Sequence, residues 1–370
     1  MTIDALYVDA EIAAHPETAR FRARMPVVSA TVVADCAEVF ARIKGAADPV
    51  GAGKRTVYLT RNRGAFVKKC PGTHQYTCCG YRILHVGSFC TMDCAYCILQ
   101  AYFHPPLLQY FVNREDMLGE LDACFRDGSV HRFGTGEFTD SLIWDRWTDL
   151  SPELVRRFAG QTTSILELKT KVAQIGHLTG LAHGGKTIMA WSLNTERVIG
   201  REERGTASLE RRLAAAAEAV AAGYRVAFHF DPLVVYDGCE AEYARVVDRM
   251  FAAVDPRAIV WISLGAFRFM PALKATVAQR FPRSSMVYGE FVPGLDGKMR
   301  YFKPLRMNLF RALTAAIRAR DPGACVYLCM EDDEVWHYAL GFTPAERGGL
   351  SRMLDEAAMR HCGVCGRFET

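Results

Sequence analysis

The chain has 370 residues, half of them hydrophobic and 23% charged, enough to bury a full-sized core in one large domain or in two to three smaller ones. No apolar run approaches the roughly 18 residues that a membrane-spanning helix needs. The net charge of +4 is mild and taken alone does not point to nucleic acid. The first ten residues carry two aspartates and no basic residue, the wrong flank for a signal peptide, so a cytoplasmic protein is expected. Thirteen cysteines in a chain read this way point to metal or redox chemistry and not to disulfides.

Residues 1–80 show no regular alternation of elements and are expected to form an N-terminal α/β subdomain. Within them, residues 54–69 hold Lys54, Arg55, Arg61, Arg63, Lys68 and Lys69 with no acidic residue, interleaved with Tyr58 and Phe66. That stretch reads either as a solvated basic face or as a surface that follows nucleic-acid phosphates. Cys70, Cys78 and Cys79 follow, close to His74.

From about residue 82 the pattern changes. Short β-branched apolar runs at 83–86, 131–134, 164–168, 187–191, 225–230 and 259–264 alternate with helical stretches. The clearest helix is the alanine-rich segment 208–222, stopped by Gly223. Six strand–helix alternations predict an α/β fold, a partial (βα)6 TIM-type barrel over 81–282 with catalytic groups at the C-terminal strand ends. Residues 283–370 read as a C-terminal extension completing the substrate cleft. They hold a strand-like 286–290, a turn at 293–297, a helix at 309–320 and an apolar strand at 324–329. Cys362-Gly-Val-Cys365, beside His361, is a half-site for a metal or a redox pair, and it could meet the Cys70, Cys78 and Cys79 group in space.

The segment directly after the first candidate strand carries the chemistry. Cys90-x3-Cys94-x2-Cys97 places three thiolates on one tight loop, where they can hold three corners of a [4Fe–4S] cluster. The fourth iron is then open to chelate a small ligand. Structural zinc is the competing reading, but it usually needs a fourth protein ligand and paired C-x2-C units. Tyr96, just before the last cysteine, suits a ring packed on a ligand base.

This motif, opening a six-fold βα pattern, resembles the radical S-adenosylmethionine (SAM) superfamily. Cys97-Ile-Leu-Gln-Ala-Tyr, Leu108-Gln-Tyr-Phe-Val-Asn, Lys169-Thr-Lys171 and Trp191-Ser-Leu-Asn194 are further similar, in sequence and order, to spore photoproduct lyase and its homologues, which cleave the thymine dimer of irradiated spore DNA. The resemblance runs from about residue 75 to 310. It implies that a flavodoxin- or ferredoxin-like donor reduces the cluster and that SAM cleavage gives a 5′-deoxyadenosyl radical. It also implies that Lys171 meets the SAM carboxylate, that Ser192 and Asn194 meet its ribose or amino-acid portion, and that backbone groups at Gly265 meet its adenine.

One departure matters. Where the family carries a cysteine that returns a hydrogen atom to the product radical, alignment of Phe133 and Asp140 places Glu137. A carboxylic acid cannot replace a thiol there, because its O–H bond is far too strong. Gly134-Thr-Gly-Glu137 instead resembles the element with which many radical SAM enzymes hold the SAM ammonium, making Glu137, with Thr139 nearby, a candidate SAM ligand. The hydrogen donor would then be sought among Cys239, Cys325, Cys329 and Tyr96. The resulting expectation is a spore-photoproduct-lyase-like enzyme acting on a pyrimidine lesion or related nucleobase in DNA. The alternative is a radical SAM enzyme of the same fold that modifies a peptide, nucleoside or small metabolite. A metal-stabilised DNA-binding protein would leave the barrel pattern unexplained.

Overall fold

The computed structural model describes residues 2–73 and 75–368. Its main sheet contains seven parallel strands in chain order: β1 (Arg82–Leu84), β2 (His131–Gly134), β3 (Ser164–Thr170), β4 (Thr187–Ser192), β5 (Arg225–Leu233), β6 (Ile259–Ala266) and β7 (Val326–Leu328). Each pairs with its predecessor, as a run of crossovers through helices of one hand requires, and the sheet curls into a partial barrel. β2, β4 and β6 are buried along their whole length, as strands covered on both faces must be, and β4 and β6 accordingly run mostly apolar. An antiparallel strand, Val67–Lys69, closes the β1 edge.

The helices follow the expected rhythm. Leu209–Ala221 begins at Ser208, whose hydroxyl accepts from the Arg211 amide. It buries Leu209, Leu213, Ala216 and Ala219 at spacings of three and four, and Gly223 follows it at φ +88°. The helix expected at 309–320 begins earlier, at Lys303, where Pro304 sits in its first turn. The strand expected at 286–290 forms instead at Phe291–Pro293 and pairs with Met299–Tyr301 in an antiparallel hairpin. The apolar strand near 326 becomes β7 and lengthens the barrel sheet beside β6.

A second sheet joins Ala30–Val33, Ala5–Asp9 and Thr56–Thr60 to Leu108–Phe111 and Gly87–Ser88. Its last two strands flank the cysteine loop, so the N-terminal segment packs directly behind that loop. No helix among the described residues is long and apolar enough to cross a membrane.

Candidate cofactor and substrate site

The cysteine loop leaves the second sheet at Ser88 and is pinned from several sides. Phe89 donates its amide to Phe138 O at 2.8 Å and stands at φ +72°, a left-handed conformation that costs a phenylalanine about 1–3 kcal/mol and persists only where the surroundings impose it. Asp93–Cys94 pair antiparallel with Glu203–Arg204, the Ala95 amide donates to Glu202 O at 2.8 Å, and Gln100 Nε2 donates to Cys94 O at 2.9 Å. The Met92 amide points at Cys90 Sγ at 3.4 Å, the kind of N–H···S contact that stabilises a cluster thiolate.

Cys90, Cys94 and Cys97 all face one cavity. Burial pushes the Cys90 thiol up to about 12 and the Cys94 thiol higher still, so neither ionises readily without a cation to compensate. Three soft sulfur donors on one pinned loop, two of them buried, and all open to a cavity with charged side chains in its wall, fit an iron–sulfur cluster better than a closed zinc site.

The rest of that cavity comes from the C-terminal strand ends. Lys171 follows β3, with Nζ 5.6 Å from the centre of the Tyr96 ring, and Ser192 ends β4. The Tyr96 hydroxyl donates to buried Glu203, which also receives Arg212 at 2.5 Å. This engages the Tyr96 hydroxyl and leaves the ring as its contribution to the wall. Thr139 also lines the cavity, its hydroxyl accepting from Trp144 Nε1 at 3.1 Å. Asp140 ties β2 to β3, accepting from Thr170 Oγ1 at 2.8 Å and from the Lys171 amide at 2.9 Å, so it positions Lys171.

Two expected contacts do not reach this wall. Asn194 is buried and spent: its amide donates to Pro232 O at 2.9 Å while its oxygen accepts from the Tyr243 hydroxyl at 2.6 Å. Gly265 lies within β6, where a Cβ would stand 2.6 Å from the Asp231 carboxyl carbon. The glycine thus makes room for Asp231, and the wall here is formed by Phe267 and Arg268, which follow the strand.

A second cavity adjoins the first, and Glu137, Lys169, Asp231 and Arg268 line both. Glu137 accepts from Lys169 Nζ at 3.0 Å. Burial pulls Lys169 down, but Glu137 and Glu167 outweigh it and hold the ammonium above its usual range. Deeper in, His229 pairs with Glu167, both buried. At the mouth, Tyr102 stacks on Phe138 with ring centres 6.0 Å apart.

Of the expected hydrogen donors, Cys329 lines this cavity and its sulfur receives Arg268 at 3.4 Å. Cys239 does not: it starts the helix Cys239–Ala253, buried, with its thiol on Glu240. Cys325 stands before β7, at the opposite end of that strand from Cys329. Three other thiols, not among the expected hydrogen donors, share the same cavity. Cys70, Cys78 and Cys79 line it, and their side chains interact with one another. His74, expected beside them, lies outside the described residues. Among the described residues no group of three or more His, Cys, Asp or Glu side chains is gathered to hold a single metal ion. Cys362 and Cys365 sit at the other end of the barrel, where Lys186, just before β4, donates to Cys362 O at 2.7 Å and the Cys365 amide donates to Thr162 O, so the two cysteine groups do not meet.

The expected basic surface is also corrected. Lys54 is fully buried, its ammonium donating to the carbonyls of Cys90 and Met92 in the cysteine loop. Arg55, Arg61 and Arg63 are exposed but paired, with Asp4, Asp116 and Glu11. Lys68 contacts His85 at 3.0 Å, and Lys69 remains exposed. One missed signal was present in the chain: Glu167, Lys169 and Lys171 alternate along β3 and its exit, as do His229 and Asp231 on β5, the period that puts polar groups on one inner face.

Residues 77–292 match the family model described as spore photoproduct lyase. The spore photoproduct lyase of Bacillus subtilis (strain 168) is 27% identical over 206 residues, covering 54% of this chain and 60% of that protein. That of Clostridium acetobutylicum is 24% identical over 254 residues, covering 68% of this chain and 71% of that protein. The chain therefore spans less than two thirds of the length of the first of these relatives. Among solved structures, a spore photoproduct lyase variant with bound AdoMet and dinucleoside spore photoproduct superposes with a TM-score of 0.77 at 21% identity, over 89% of this chain and 99% of that one. Another spore photoproduct lyase variant gives a TM-score of 0.78 at 22% identity, likewise over 89% of this chain and 99% of that one. At these identities the likeness establishes the shared fold. With the model match covering more than half of the sequence, the chain belongs to the spore photoproduct lyase family.

Proposed function

We propose that this chain is a radical SAM enzyme that reverses a pyrimidine lesion of the spore-photoproduct type in DNA. The observation that carries the reading is the pair of adjoining cavities. One is walled by Cys90, Cys94 and Cys97, the other by thiols, and Glu137, Lys169, Asp231 and Arg268 are common to both. When bound, a [4Fe–4S] cluster and SAM would supply a carbon-centred radical able to take hydrogen from an unactivated carbon.

The chain's own residues do the rest. Cys90, Cys94 and Cys97 would hold the cluster. Lys171 suits the SAM carboxylate, Ser192 a hydroxyl, and Glu137 the SAM ammonium, with Lys169 holding that carboxylate at the cavity junction. Tyr96 and Phe267, ring centres 6.5 Å apart, offer apolar faces to the adenosine. Tyr102 and Phe138 offer an aromatic surface to a base at the mouth of the second cavity.

The carboxylate at 137 argues for a different substrate only if no thiol is at hand. Cys329, Cys70, Cys78 and Cys79 line the substrate cavity from other segments, so a hydrogen donor need not come from β2. A flavodoxin- or ferredoxin-like reductant and a cytoplasmic setting complete the reading. Incubation of the loaded, reduced protein with SAM and dinucleoside spore photoproduct tests it, and release of two intact thymidines is expected. Recovery of unaltered photoproduct alongside brisk 5′-deoxyadenosine formation would count against this substrate.

A further inference from the structure

The buried lysine behind the cysteine loop has no role in the reading above. Lys54 ends the short helix Pro49–Lys54 of the N-terminal segment and is 0% exposed. Its ammonium donates to Cys90 O at 3.1 Å and to Met92 O, lies 3.8 Å from an Asp93 carboxylate oxygen, and sits 4.5 Å from the centre of the Phe89 ring. The approach is rigid. A Cβ on Gly53 would stand 1.6 Å from Pro106 O, so the helix end is pressed against the backbone that follows the loop.

Its ion pairing is incomplete. Asp93 is held more closely by Arg280, at 2.9 Å, and Arg280 also bonds Asp48 at 3.0 Å and Gln100. Lys54 therefore contacts two loop carbonyls and only a distant share of one carboxylate. A buried ammonium so placed is unfavourable in a plain core. It becomes favourable if the far side of the loop carries negative charge, as a cubane bound by three thiolates does, the more so after it takes up an electron.

We infer that Lys54 is a positioning residue for the cluster, fixing the Cys90–Met92 backbone and raising the cluster's reduction potential through its buried charge. This rests on the cluster reading of Cys90, Cys94 and Cys97. The carbonyl bonds hold the loop in the strained turn at Phe89, and the charge stabilises the reduced, more negative state. The N-terminal segment thereby acts on electron entry although it contributes no ligand.

The test separates bond from charge. Lys54→Gln retains a donor and removes the charge; Lys54→Met removes both. Each is reconstituted anaerobically with iron and sulfide, iron is counted per chain, and the cluster is titrated potentiometrically by its absorbance without SAM or substrate. Lys54→Gln is expected to load as wild type does but to titrate at a lower potential; Lys54→Met is expected to do the same and to lose part of its iron. Asp93→Asn, which removes a negative charge from the loop, should shift the midpoint upward. A midpoint unchanged in Lys54→Gln overturns the inference. If circular dichroism shows that neither Lys54 variant folds, Asp93→Asn decides, and an unmoved midpoint there overturns it equally. Wild-type protein that takes up no cluster would instead sink the cluster reading, so the two failures are distinct.

Discussion

The two adjoining cavities hold their sulfur atoms differently. Cys90, Cys94 and Cys97 ride on a loop fixed by Phe138 O, Glu202 O, Gln100 and Lys54, and two of the three thiols are buried. Cys70, Cys78 and Cys79 lie on a segment without helix or strand, and Cys78 is exposed; Cys329 follows a three-residue strand. Coordination needs sulfurs held at fixed mutual distances, whereas hydrogen transfer needs a thiol that can approach a carbon atom. On the proposed function, this difference in support suits a cluster in one cavity and a hydrogen donor in the other.

The largest effect should follow removal of the fixed set. Replacing Cys90, Cys94 and Cys97 together by alanine should abolish iron uptake, about four irons per chain in wild type, and with it all SAM cleavage. The thiols of the second cavity should behave otherwise. Cys329→Ala, or Cys78→Ala with Cys79→Ala, should load iron normally and cleave SAM. Repair should then leak into adducts of the product radical with buffer reductants, read by mass spectrometry. Full, clean repair in both variants would show that none of Cys329, Cys78 and Cys79 is the required donor.

The junction between the cavities gives intermediate effects. Lys171→Ala and Glu137→Gln should each weaken SAM binding by about 1–3 kcal/mol, the range for losing a charge-assisted hydrogen bond. Asn194→Ala should leave SAM affinity within error and lower unfolding stability by about 1–3 kcal/mol, since it strips a partner from Tyr243 and Pro232. A loss of SAM affinity in Asn194→Ala equal to that in Lys171→Ala would return Asn194 to the binding site.

These assignments show where the chain could be read and where it could not. The barrel strands were legible because each is a short apolar run between helix signals, and all six formed within three residues of the expected ends. The convergence of Cys90, Cys94 and Cys97 on one cavity was legible because the three lie close together in the sequence. Asn194 was misread because its partners, 38 and 49 residues away, become visible only once β4 and β5 lie side by side. Lys54 was misread for the same reason: a basic stretch looks solvated until the fold closes over one member, here against a loop 36 residues on. The thiol-lined cavity gathers Cys70 and Cys329 from either end of the sheet, a convergence that no local pattern records.

A last predicted effect, on stability and not on chemistry, lies near the cysteine loop, at His85. Burial pushes its imidazole down to about 4, with Lys68 adding to the shift. The unfolded chain then binds a proton between pH 6.5 and 4 that the folded chain refuses, so stability should fall as the pH drops through that window. His85→Gln should flatten that part of the unfolding curve; a slope identical to wild type would remove His85 as its source.

The most direct test of the account is the fate of dinucleoside spore photoproduct in deuterium oxide, with the loaded, reduced protein and SAM. Exchangeable thiols would carry deuterium, so the account predicts two intact thymidines, one of which has gained one deuterium, and loss of this product in favour of adducts when the donor thiol is removed. Intact product without deuterium would contradict a thiol donor, and no product from a protein that cleaves SAM would contradict the proposed substrate.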